Sequence, residues 1–142
     1  MKPGNSLERF VEAQNPVYEA VCAELKAGRK ATHWMWFVFP QLQGLGQSVT
    51  ARHFGIASAA EAAAYLDHPV LGPRLRECVG LVLAIDDRTA HQIFGSPDDL
   101  KFRSSMTLFA AVAPDDPLFR RALERYYGGV GDPLTVTLLA GR

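Results

Sequence analysis

Asp116-Pro117-Leu118-Phe119-Arg120-Arg121-Ala122-Leu123-Glu124-Arg125-Tyr126-Tyr127-Gly128 reads as a complete helix with its start and stop signals in place. Asp116 is a capping side chain. Pro117 suits the first helical position, because its fixed φ is already helical and its missing N–H would have no partner there. Phe119, Leu123, Tyr126 and Tyr127 recur at spacings of three and four, which puts an apolar stripe on one face. Gly128 then supplies a residue that can close the helix. The same mark, a polar residue followed at once by proline, recurs at Asn15-Pro16, Ser96-Pro97 and Asp132-Pro133 and predicts three more helix starts.

Capping-box spacing adds starts at Asn5 with Glu8, Ser58 with Glu61, and Thr89 with Gln92. Gly28, Gly95 and Gly141 are further stop signals. Leu71, Leu75, Cys78, Val79, Val82 and Leu83 form a second stripe, whose regular part is expected to begin at Pro73. No run of apolar-polar alternation is long enough to demand a sheet. The expected fold is all-α: one compact domain over residues 1–142, built of about eight short helices. One segment reads differently. Trp34-Met35-Trp36-Phe37-Val38-Phe39-Pro40 has strand-like aromatics but no partner strand, so it is expected to form one or two helical turns, capped by Thr32 and ended by Pro40. A loop from Gln41 to Gly46 follows.

Hydrophobic residues make up 48% of the chain and charged ones 21%, which excludes a disordered polymer. Fifteen Lys plus Arg balance fifteen Asp plus Glu, so no global field favours nucleic acid, and none is expected as a partner. No apolar run approaches the roughly 18 residues of a membrane span, and Met1-Lys2-Pro3-Gly4-Asn5 lacks a signal-peptide core. A cytoplasmic location without membrane association is the expectation. Cys22 and Cys78 are isolated thiols. His33, His53, His68 and His91 show no pairing at helical spacing, so no metal site is expected, and Gly44-Leu45-Gly46 is no dinucleotide fingerprint. No cofactor is implied.

Four stretches carry a family likeness: Lys30 to Gln41, Gly44-Leu45-Gly46, His68 to Leu75, and Phe94 to Phe109. In this order they resemble the bacterial DUF1810 family, over about Leu7 to Leu139. The resemblance implies a mostly helical fold. The family has no established activity and sometimes carries a calpastatin label.

Chemistry concentrates in the first and last of these stretches. On a helix beginning at Pro97, Asp98, Lys101 and Ser105 fall on one arc with Ser104 adjacent, bringing a carboxylate, an ammonium and two hydroxyls toward a common space. Read as structure alone, Asp98 and Asp99 suit the positive helix end, while the hydroxyls bond carbonyls one turn back. His33, Trp34, Trp36 and Gln41 would form the facing wall, with rings for stacking, an amide that donates and accepts, and an imidazole as the best general acid or base. Taken one by one, the rings are better accounted for by packing. A Ser-Lys nucleophile is disfavoured, because Asp98 and Asp99 keep the lysine charged; a charged Lys101 suits an anion clamp. The expected function is binding of a small anionic or nucleotide-like ligand in a pocket of His33, Trp34, Trp36, Gln41, Asp98, Lys101, Ser104 and Ser105, with enzymatic activity undetermined. The alternative is a protein-interaction module that docks a partner on an exposed aromatic loop.

Overall fold

The computed structural model describes residues 7–141, which fold into ten helices where about eight are expected. These are α1 (Glu8–Gln14), α2 (Tyr18–Lys26), α3 (Met35–Val38), α4 (Val49–Phe54), α5 (Ala59–Asp67), α6 (Leu71–Leu83), α7 (Ala90–Phe94), α8 (Asp98–Val112), α9 (Pro117–Tyr127) and α10 (Pro133–Ala140). Among the described residues the only β pairing is one isolated parallel bridge, Leu42 with Ile56. No helix there is long and apolar enough to cross a membrane.

Most start signals act as read. Asp116 accepts the Leu118 N–H at 3.0 Å, Asp132 accepts that of Thr135 at 3.0 Å, and Thr89 with Gln92 forms a reciprocal capping box. Ser58 caps α5 through the Glu61 N–H, but the Glu61 carboxylate turns back to the Ala57 N–H instead of closing a box. The Asn5 cap lies outside the described residues. Asn15-Pro16 is corrected: Asn15 keeps helical backbone angles and ends α1, Pro16 sits in the turn, and α2 begins only at Tyr18. At Ser96-Pro97, a cis peptide, the proline stands just outside α8.

Helix α6 starts at Leu71, two residues before the expected Pro73. His68 Nδ1 accepts the N–H groups of Val70 and Leu71, and Pro73 falls in the first turn, where its missing donor costs nothing. The aromatic segment yields the single turn α3, and Thr32 does not cap it. Its N–H and hydroxyl go to Glu24, whose carboxylate also takes the Ala31 N–H and the Trp34 indole N–H. Burial alone would raise the pKa of Glu24, but these hydrogen bonds, led by the Thr32 hydroxyl, outweigh it and hold the carboxyl at about 2.

Helix α8 forms the centre, touching α3, α5, α7, α9 and α10. Its Phe102, Met106, Leu108 and Phe109 are fully buried. Phe39, just after α3, sets its ring edge-on to Phe102 at 4.9 Å and to Phe94 at 5.9 Å, which fixes the aromatic segment against this central helix.

Candidate functional site

Pro97, Leu100, Lys101 and Ser104 follow an i, i+3, i+4, i+7 pattern and share one face of the α8 region. Trp36 of α3 lies opposite, together with Gln41, Leu45 and Gly46 of the following loop. Asp132 and Leu134, at the start of α10, complete a cleft of about 250 Å³. Serine and threonine hydroxyls dock α10 onto α8. Ser104 Oγ lies 3.2 Å from Asp132 Oδ2, and Thr107 Oγ1 accepts the Asp132 N–H at 2.9 Å.

The cleft is organised around a lysine. Lys101 Nζ sits 3.7 Å from the centre of the Trp36 ring, within reach of its electron-rich face. Asp98 is nearby but divided. One carboxylate oxygen is 2.9 Å from the ammonium of the buried Lys30, the other 3.5 Å from Lys101. Lys30 is therefore the closer partner of Asp98, and Lys101 is the less committed cation.

Of the eight residues expected to form a site, Trp36, Gln41, Lys101 and Ser104 line this cleft, and Asp98 adjoins it through Lys101. The other three lie elsewhere. His33 is exposed in the loop before α3 and is absent from the cleft lining. Trp34 is 1% exposed, its ring packed against Phe39 and its N–H spent on Glu24, so it offers no stacking face. Ser105 is fully buried, and its hydroxyl has no hydrogen-bond partner among the described residues. Trp34 and Phe39 of the aromatic segment are in the core, while Trp36 and Phe37 are half-buried.

Six lining residues lie outside the expected set: Leu100, Leu45, Gly46, Pro97, Asp132 and Leu134. The first was legible in the same helical pattern that places Lys101 and Ser104. Asp132 reads as a cap and performs that role, and its place in the cleft follows only from how α10 docks. Arg125, exposed on α9, donates through its guanidinium to the Leu83 and Ile85 carbonyls and so closes the end of α6. Among the described residues no group of three or more His, Cys, Asp or Glu is placed to hold a metal ion.

The family DUF1810, described as a protein of unknown function, matches residues 4–139. The chain belongs to the DUF1810 family. This DUF1810 chain is also similar to a solved structure, that of the conserved hypothetical protein Rv1873 from Mycobacterium tuberculosis, with a TM-score of 0.93 and 58% identity over 94% of this chain and 96% of the other. No curated protein matches it. Three of the four stretches that carry the DUF1810 likeness meet at the cleft: residues 30–41, 44–46 and 94–109.

Proposed function

We propose that this DUF1810 domain binds a small anionic or nucleotide-like ligand in the Trp36–Lys101 cleft, in the cytoplasm. The observation that carries this reading is the position of Lys101, 3.7 Å over the Trp36 ring and only 3.5 Å from a carboxylate already engaged by Lys30. An ammonium has three donors and Asp98 occupies at most one of them, so an incoming phosphate or carboxylate finds a charged donor without breaking the tighter pair. The indole of Trp36 provides an apolar surface for a flat ring, and Gln41 can both donate and accept. A space of about 250 Å³ is below the usual range for drug-sized ligands, which favours a mononucleotide or smaller anion over a dinucleotide.

The test is calorimetric and thermal-shift titration with nucleoside monophosphates. Binding is expected, with Lys101→Met weakening it by about tenfold or more, the worth of one charge-assisted hydrogen bond, and Trp36→Ala weakening it by up to about tenfold through the lost aromatic contact. If no monophosphate binds, or if Lys101→Met binds as well as the parent, the reading is wrong.

A further inference from the structure

A second and larger cleft, of about 660 Å³, lies between α1, α4 and the start of α5. It shares no lining residue with the Trp36 cleft. Arg9 forms its fixed wall. This side chain is 10% exposed, and its guanidinium donates to the His53 carbonyl at 2.8 Å, to the Gly55 carbonyl at 3.1 Å and to both oxygens of Glu61 at 3.4 Å. Glu61 balances that charge and no more.

Arg52 is held differently. It is exposed on α4, where its backbone N–H donates to the Ser48 carbonyl at 3.0 Å and its carbonyl accepts from the Gln43 amide at 3.2 Å; its guanidinium makes no hydrogen bond or ion pair among the described residues. The exposed ring of His53 stands beside it, edge-on to Phe54 at 4.6 Å. Ser58, the cap of the nine-residue α5, lines the same space, so the positive helix end adds to the field there. Among the described lining residues two guanidiniums face one carboxylate, in a concavity with a rigid, partly desolvated wall. Such a shape concentrates the field on an anion, where a convex surface would disperse it.

We infer that this cleft is a second binding site, for a phosphorylated small molecule, with Arg52 as the group that takes the phosphate. A guanidinium fork engages two phosphate oxygens and leaves a third for the His53 imidazole and the Ser58 hydroxyl, whereas a carboxylate has no third oxygen to offer them. The site stands independently of the Trp36 cleft.

Amide chemical shifts during titration of the full chain with inorganic phosphate, with chloride at matched ionic strength as control, test this. Saturable shifts at Arg52, His53 and Ser58 are expected with phosphate only. Arg52→Ala is expected to weaken them about tenfold, and Lys101→Met to leave them unchanged. Arg52 is exposed and makes no side-chain bond, so its variant is expected to keep the parent spectrum elsewhere. Shifts that chloride reproduces, or that Arg52→Ala retains at the parent affinity, would overturn the inference. Shifts confined to Trp36 and Lys101, with none at Arg52, His53 and Ser58, would overturn it too, while supporting the first cleft.

Discussion

Glu24 gathers two backbone N–H groups, a hydroxyl and an indole N–H from residues 31–34 onto one carboxylate, and so sets the path of the chain into α3. Its pKa is lowered on folding from 4.5 to about 2. The unfolded chain therefore binds the proton more readily. The stabilisation is complete above about pH 4.5 and drains away as pH falls toward 2. Glu24→Gln keeps the shape but loses the charge, and is expected to cost about 1–2 kcal/mol at neutral pH. Urea melts across a pH series should show the difference from the parent shrinking over that acid range; a constant difference would mean the carboxylate's charge is not what matters. Ser105 predicts the opposite sign. Its buried hydroxyl is desolvated without a partner among the described residues, so Ser105→Ala is expected to be neutral or to stabilise by up to about 1 kcal/mol in thermal melts, with monophosphate binding unchanged. The sequence places Ser104 and Ser105 together, yet neighbours on a helix point about 100° apart. That angle sends one to the cleft and leaves the other fully buried.

Helices α5 and α6 meet at a junction that tolerates no side chain. A Cβ on Gly72 would lie 2.1 Å from the Leu66 carbonyl oxygen, a backbone atom that cannot swing aside. Gly72→Ala is expected to destabilise by about 2–4 kcal/mol, with the loss visible in the denaturation midpoint, whereas Gly80→Ala in the same helix meets nothing within 4 Å and should stabilise. If the two variants melt alike, the junction is looser than its geometry. Such junctions mark where legibility ends. The caps at Thr89, Asp116 and Asp132 were readable because each depends on three or four consecutive residues. By contrast, α4 has six residues and no apolar stripe, and its Ser48 cap carries no capping-box partner to distinguish it from a loop serine. Thr32 looks like a cap in sequence and is instead claimed by Glu24 from a different helix. The cleft divides in the same way. The face of α8 could be read from periodicity, but the arrival of α10 and the burial of Trp34 depend on contacts between distant parts of the chain.

The Lys30–Asp98–Lys101 array joins these distant parts, and it links stability of the whole fold to the proposed binding. Lys30 belongs to the loop between α2 and α3, its N–H donates to the Ile93 carbonyl at the end of α7, and its ammonium reaches Asp98 at the start of α8. Its side chain is 8% exposed against 20% for Lys101, so the two lysines should respond differently to removal. Lys101→Met removes a looser, more accessible contact and is expected to cost at most about 1 kcal/mol of stability while weakening monophosphate binding. Lys30→Met removes the desolvated partner. Asp98 retains Lys101, so the loss should fall short of the full penalty for a stranded buried charge, at about 1–3 kcal/mol. It should also weaken binding, although Lys30 is absent from the cleft lining, because Lys101 must then balance Asp98 and has less to offer an anion. Denaturant melts and calorimetry on the two single variants and the double variant check this. Binding losses that fail to add in the double variant are expected, because both act through the same ammonium. Full additivity, or a Lys30→Met variant that binds as tightly as the parent, would show that Lys101 is not held in reserve by its neighbour.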